Sequence, residues 1–580
     1  MKAIRLYWLT AAALSLVVVA THVVAALRHP EWWGAHFYRF LDPAVLWIAC
    51  ASLALAGVLA WRWPGWLERA FTMRPLSGAA RGRWPWIAVM SAGSLWLFWT
   101  FREAHTLLGD GHPLTENLPL GQQFHPDEPL ALFLHQQFYR LTRALFAHPG
   151  RALADIAHDT VGLSSALAGA LFVPIAWRLS RSLATGRATD EAPPRRGGSA
   201  PTALVFLALI AQGYLQLFFG YVENYTLSCL VIAAFALCSM LVIEGRAPLI
   251  LPVALVIFDS ALHLAGALLV PALGVLLVQQ LLRPAGWRAA ARDLAIGLAI
   301  LAATNAALAL LHPHYSWFGM LAHLAGSVTR AGSSYGFKRP GAGDFLNQQM
   351  LIGPLGLFLF LPAAAGAALG GVWRSWKGAF FVALGGAFVI ASVIAGDSNL
   401  GVARNWDLLA PAGFVFTLAA LALALAAEWP ARDLSRWLFL LGAVSLFHTV
   451  PWIANNASFD RAFARFKTLP LGLGRAQAVV GSLYLERGQA DSAAVWFRRA
   501  LDENSANNLA AFELGRIAMS RGNYQFACQA FRSALEARPG TQQYQYLLAG
   551  ALVRSGRPQY ARQEVDALLR ENPGEPIYWA

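Results

Sequence analysis

The chain has 580 residues, 57% hydrophobic and 13% charged, with a net charge of +13 and a mean hydropathy of +0.47. A soluble protein of this length carries about twice that share of charge, so a soluble enzyme is excluded. The cations, nearly all Arg, sit in short loops between apolar runs, which excludes a nucleic-acid surface and supplies a topology signal instead.

The first apolar run, Leu9 to Leu27, follows Lys2 and Arg5. It is long for a signal-peptide core, and the HPEWWGAHFYRF that follows has no small-residue cleavage signature, so a retained helix is expected. Further runs long enough to span a bilayer as helices lie at about 44–61, 84–101, 160–177, 202–219, 226–243, 248–262, 264–281, 294–311, 350–369, 378–395, 409–427 and 436–453. The division near Leu262 is set by DSALH, which interrupts the apolar run. These positions predict an all-α, polytopic transmembrane bundle of about thirteen spans.

Arg62, Arg69, Arg74, Arg81 and Arg83 share one connection, and Arg178 to Arg196 bound another. The positive-inside rule places these loops, with EGRAP, RPAGWRAAARD, VWRSWKG and EWPARDLSR, in the cytoplasm. The stretch after residue 101, GYVENY, 312–347 and GDSNLGVARNWD then fall outside. The N-terminus is expected inside and the tail outside. Lys occurs only at 2, 338, 377 and 467, an Arg-rich usage that fits a GC-rich bacterial genome and hence a bacterial inner membrane with a periplasmic tail. Cys50, Cys229 and Cys238 lie in apolar runs and Cys528 in the soluble tail, a spacing that suggests neither a disulfide framework nor a zinc site.

From about residue 476 the composition turns soluble. Gly488, Gly522 and Gly556 recur every 34 residues, as do Ala493, Ala527 and Ala561, then Phe497, Phe531 and Val565, then Ala500, Ala534 and Leu568. Pro539 and Pro573 follow the second and third units. This period, with small residues where helices touch and glycines in the turns, is the tetratricopeptide repeat pattern. It predicts a soluble α-solenoid over residues 475–580 that binds a protein or peptide, or stiffens a scaffold.

The polar clusters all fall on the outer face. In LLGDGH, Asp110 stands between two glycines, a turn signal that also suits a general base or a ligand for a divalent cation. His112 follows it. In FHPDEPLALFLHQQFYRLTRALF, Pro129 suits the first turn of a helix, and Asp127 or Glu128 suits its cap or the same site as Asp110. Leu130, Phe133, Leu134, Phe138, Leu141 and Leu145 form one apolar stripe, so this helix is expected to lie along the interface. GYVENY offers Tyr221, Glu223 and Asn224, either as cap and aromatic belt or as site residues, since a carboxylate at this depth is costly without a wet cavity or partner. Asp259 and His263 are four apart and, if helical, share a face. In GVARNWD, Arg404 stands against the positive-inside bias, which an anionic ligand explains. Asn405 and Asp407 adjoin it. His312, His314, Lys338 and Arg339 offer a second phosphate-contacting or exposed loop.

A multi-span bundle with an acidic outward loop and interfacial helix resembles the GT-C superfamily of membrane glycosyltransferases, and the repeat tail resembles the O-mannosyltransferases of that family. The likeness spans 84–453 by topology and 475–575 by repeat. It departs where the acidic loop follows the third span instead of the first, which an added two-span segment at 1–83 explains. It implies transfer of a sugar from a polyprenyl-phosphate donor to a protein or glycan acceptor at the outer face. The implied catalytic acid is Asp110, with Asp127, Glu128 and Glu223 as further candidates. His112, Tyr221, Asn224, Asp259, His263, Arg404, Asn405 and Asp407 are the implied substrate-binding set, and the repeats would recruit the acceptor. No DxD is present, so Mg or Mn is a candidate cofactor without a motif of its own. The alternatives are a membrane scaffold that presents the repeats, and a transporter or flippase whose acids relay protons. Residues 454–474 are expected as a linker.

Overall fold

The structure, a computed structural model, describes residues 2–29, 31–63, 83–121, 128–185, 201–284, 286–311, 315–317, 319, 341–394, 401–427, 429–470 and 474–571. Every regular element among them is helical. The contacts divide the chain into two units that part at Leu469 and Pro470, with a short piece around Gly401 assigned to the second.

The first unit holds α1 (Lys2–Leu27), α2 (Pro43–Arg62), α3 (Arg83–Thr100), α4 (Gly111–Asn117), α5 (Pro129–Phe146), α6 (Leu153–Thr185), α7 (Thr202–Ile210), α8 (Tyr225–Ile243) and α9 (Ile250–Leu262). It continues with α10 (Val270–Leu282), α11 (Gly286–Leu311), α12 (Ala342–Ile352), α13 (Gly356–Leu369), α14 (Trp376–Ile394), α15 (Trp406–Ala424), α16 (Ala431–Asn456) and α17 (Phe459–Phe466). Among the described residues nine helices are long and apolar enough to cross a membrane, or ten if α12 and α13, bent by 90°, count as one. This is a polytopic transmembrane bundle. Helix α15 is its centre, with 94% of its apolar window buried, whereas α11 has only 11% of its window buried inside the protein. A side chain turned to hydrocarbon needs no protein cover, so such exposed apolar faces are ordinary here.

All the expected spans are helical, but three, besides the bent α12–α13 pair, are not among the nine long apolar helices. The run at 202–219 breaks into α7 and a 3-10 helix, Gly213–Phe218. Gln212 causes the break: its amide donates to the Ala208 carbonyl and to Ser445 Oγ, an arrangement that ends the regular ladder. Helix α9 has 13 residues and stops at His263, whose extended backbone divides it from the 3-10 helix Leu264–Leu269. Helix α3, rich in Trp, is 18 residues long. The stretch expected as a linker contains the rest of α16 and all of α17, with Ala462, Phe463 and Phe466 buried in the first unit.

Helix α5 has Pro129 in its first turn and packs on α6 and α9. Its inward face is Ala131, His135, Gln136 and Tyr139. The expected apolar stripe is divided: Leu130 and Leu134 pack against Ala131, Val231 and Leu262, whereas Leu141 and Leu145 are 80% and 67% exposed. The outward part of the stripe suits the edge of a bilayer.

The second unit is three helix pairs: α18 (Arg475–Glu486) with α19 (Ala490–Glu503), α20 (Asn508–Ser520) with α21 (Tyr524–Ala537), and α22 (Gln542–Arg554) with α23 (Pro558–Glu571). Gly488, Gly522 and Gly556 occupy the turns at φ of 71°, 76° and 78°, where an L side chain is strained. Within each of the first two pairs a glycine meets a ring. A Cβ on Gly481 would lie 2.6 Å from Phe497, and one on Gly515 would lie 2.6 Å from Phe531. Phe497, Phe531, Ala493, Ala527, Ala500 and Ala534 are all fully buried.

Candidate active site

Five helix ends of the first unit converge. The chain leaving α3 runs through residues 101–110, the segment 221–224 leads into α8, Asp407 opens α15, Glu128 precedes α5 and His263 closes α9. The N-termini of α5, α8 and α15 turn their positive dipole ends to this region, which lowers the cost of gathering acids there.

Gly109 is the pivot. Its φ of 60° is left-handed, and a Cβ there would lie 2.5 Å from both Asp407 Oδ2 and Glu223 Oε1 and 2.7 Å from the Tyr221 hydroxyl. Two carboxylates and a phenol therefore close on one glycine, and Asp110 follows it directly. The backbone N–H of Asp110 donates to Glu223 Oε1. The Tyr221 hydroxyl donates to Asp407 Oδ2 at 2.9 Å, and Asp407 Oδ1 accepts from the Leu408 N–H. Burial, and then the charges of Asp407, Asp110 and Glu128, push the Glu223 carboxyl well above the usual carboxylate range. Burial, and then the charges of Asp407, Glu223 and Glu103, raise the Tyr221 phenol. Burial thus favours the protonated form of Glu223, while Asp110 is half-buried at the edge of the group.

Beside this lies a second cluster. Glu128 precedes α5 but makes no side-chain cap, contrary to the capping role the sequence allows. Its carboxylate instead accepts from the Asn224 amide and stands 3.5 Å from His263 Nε2. Asn224 likewise leaves α8 without a side-chain cap. His263 packs on the Tyr225 ring, and its Nδ1 accepts from the Ala265 N–H. The shared helical face expected for Asp259 and His263 does not form, because the helix ends between their side chains. Asp259 is fully buried in α9, and neither of its carboxylate oxygens makes a hydrogen bond among the described residues.

Arg404 is fully buried. Its Nε donates to the Leu107 carbonyl at 3.2 Å and its Nη2 to the Gly109 carbonyl at 2.9 Å, while the Gly109 N–H donates to the Arg404 carbonyl at 3.0 Å. The guanidinium expected to meet a phosphate thus clasps the acidic loop through two of its three nitrogens. Asn405 is buried as the N-cap of α15, its carbonyl taking the Gln348 amide at 3.4 Å. His112 stands on α4, its Nε2 3.4 Å from Glu116, at the surface. Asp127 lies outside the described residues, as do His312, His314, Lys338 and Arg339.

Behind the loop is a network that sequence reasoning missed. Glu103 and His105 pair at 2.8 Å with both side chains 1% exposed. Gln216 donates to Glu103, His105 meets the Asn456 amide oxygen at 3.4 Å, and the Ala104 N–H donates to the Asn456 carbonyl at 2.9 Å. Two ionisable residues directly after α3 and just before GDGH were the available signal. Arg465, pushed down to about 9 by burial, faces the Glu103 charge and donates to the Trp33 carbonyl. Although Asp407 and Glu223 close on one point, no three His, Cys, Asp or Glu side chains among the described residues are grouped to hold a metal ion.

The tetratricopeptide repeat family model matches residues 480–540 and 512–576. No curated protein matches the chain. Among solved structures the chain is similar to ArnT from Cupriavidus metallidurans bound to undecaprenyl phosphate, with 15% identity, TM-score 0.38, and coverage of 85% of this chain and 80% of that one. It is also similar to the apo state of the same protein, at 14% identity and TM-score 0.36 over 83% and 79% of the two chains. YrrB, described as a tetratricopeptide repeat protein with an unusual peptide-binding site, is 12% identical at TM-score 0.20, covering 39% of this chain and 90% of its own.

Proposed function

We propose that this chain is a membrane glycosyltransferase that moves a sugar from a polyprenyl-phosphate donor to a protein or glycan acceptor at the outer face. The observation that carries the reading is the closure of Glu223 and Asp407 on Gly109, next to Asp110, at the loop-side ends of a transmembrane bundle. In this reading a lipid headgroup reaches the site from the bilayer and an acceptor reaches it from water, past the half-buried Asp110.

In this reading the half-buried Asp110 takes the proton of the acceptor hydroxyl as its oxygen bonds to the anomeric carbon. The bond from that carbon to the phosphate oxygen breaks, and the polyprenyl phosphate departs with the electron pair. Glu223 keeps its proton and donates to the sugar or the leaving phosphate. Tyr221 fixes Asp407, and Arg404 fixes the loop that carries the base. Glu128, Asn224 and His263 line the approach. The repeats recruit the acceptor and raise its effective concentration.

Among the described residues, Asp259 is the buried helical acid without a hydrogen-bonded carboxylate, the feature that speaks for transport. It lies a single turn from the loop-side end of α9, beside the site instead of midway through the bundle, so enzyme chemistry remains the better account. The test is sugar release from a panel of polyprenyl-phosphate sugars by purified full-length protein in lipid, with Asp110→Asn alongside. Turnover abolished by the substitution supports the reading. Folded protein inert toward every donor rejects it in favour of scaffold or transporter.

A further inference from the structure

Helices α1, α2 and α16 leave a groove of about 360 Å³ between them. Its walls are apolar, with Leu16, Val19, Leu53, Ala443 and Val444 along its length. One end is different: Trp8, Trp61 and Arg436 line it. The Arg436 Nη2 donates to the Trp61 carbonyl at 2.7 Å, its Nη1 lies 3.9 Å from Asp433, and its guanidinium covers the Trp61 ring at 4.6 Å. Its Nε is buried and makes no hydrogen bond among the described residues. Exposed Arg5, Arg62 and Arg432 stand on the same helix ends, so cations outnumber Asp433 at the mouth.

We propose that this groove binds an anionic glycerophospholipid of the cytoplasmic leaflet, one acyl chain between α1, α2 and α16 and its phosphate on Arg436. The chemistry matches part by part. An apolar slot opening to lipid takes a hydrocarbon chain, Trp rings favour the headgroup level, and Arg pairs well with phosphate. The geometry separates this lipid from any sugar donor. Arg436 begins α16 and Asn456, which holds the loop at Ala104, ends it, so roughly 30 Å of helix divides the groove mouth from the acidic loop. That is about the thickness of the hydrocarbon core. A donor whose phosphate must reach Asp110 cannot also place it on Arg436.

The test uses the full-length protein in mild detergent, with native mass spectrometry for retained lipid and thermal unfolding after addition of phosphatidylglycerol, phosphatidylcholine, a polyprenyl phosphate or inorganic phosphate. Phosphatidylglycerol is expected to be retained and to raise the unfolding temperature, and the other three are not. Arg436→Gln is expected to cut retention about tenfold, as loss of one charged hydrogen bond does. Gly57→Leu fills the groove at a position where an added Cβ meets nothing within 4 Å, so the fold tolerates it. It should lose the lipid too. Equal retention of phosphatidylglycerol and phosphatidylcholine, an equal effect of polyprenyl or inorganic phosphate, or wild-type retention by both variants would each overturn the proposal.

Discussion

Arg404 and Gly109 hold each other in both directions: the guanidinium donates to the Gly109 carbonyl at 2.9 Å, and the Gly109 N–H donates to the Arg404 carbonyl at 3.0 Å. A planar fork reaches two carbonyls of the acidic loop, whereas a lysine ammonium has no such geometry. Arg404→Lys is therefore expected to lower kcat by about 10- to 100-fold, the loss of one charge-assisted hydrogen bond, with the KM for donor little changed. Steady-state kinetics on a cleaved donor decide it. A raised KM with kcat intact would mean that the guanidinium touches the donor itself.

Gly109→Ala combines two penalties. A left-handed backbone costs a residue with a Cβ about 1–2 kcal/mol. The new atom also strikes Asp407 and Glu223. Turnover should vanish while the protein still inserts and elutes as a single species. Activity near wild type would show that the two carboxylates do not need their present spacing.

The raised Glu223 carboxyl gives a signed pH dependence. Burial, then Asp407, Asp110 and Glu128, makes the folded protein bind this proton more tightly than the unfolded chain, whose ordinary value is 4.5. Its contribution to stability is full below that value and is lost as pH rises toward the folded value, at up to about 1.4 kcal/mol per pH unit. Glu223→Gln should flatten this slope. Apparent unfolding temperatures of both proteins across about pH 5 to pH 8 test it, and parallel curves would contradict it.

Asn224→Leu removes the amide that meets Glu128 and leaves that buried carboxylate with His263 as its remaining neighbour. The expected cost is about 1–3 kcal/mol of stability. The double substitution Asn224→Leu with Glu128→Leu should recover much of it, because no unpaired charge is then left. Unfolding of the single and double variants measures the coupling.

In the repeats, Gly515→Leu drives a side chain into the Phe531 ring. Limited proteolysis should cut the second unit at lower protease levels than in wild type. If the repeats only recruit the acceptor, release of sugar from the donor to water or a small soluble acceptor should persist. Loss of that reaction as well would assign the repeats a part in the chemistry.

The helices and the repeat period were legible because both are local. An apolar run or a spacing of 34 residues needs no knowledge of distant neighbours. The gathering of Asp110, Glu223 and Asp407 was legible for a similar reason, since topology alone puts them at one face. The partners of each group were not. Glu128 looked like a cap until Asn224, 96 residues away, claimed its oxygen. Arg404 showed its charge in the sequence, but not the Gly109 carbonyl, 295 residues earlier, to which it donates. His263 looked like the helical partner of Asp259, and only a backbone turned extended at φ −154° separates them.

The acidic loop is fastened by residues made long after it. Arg404 grips Leu107 and Gly109, and Asn456, at the very end of α16, holds Ala104. During synthesis the loop emerges early, but Arg404 and Asp407 follow only much later and Asn456 last of all. A chain cut short before α16 therefore carries every acid of the site without the Asn456 latch. On the reading proposed above, sugar transfer therefore waits for the chain to complete its own membrane insertion.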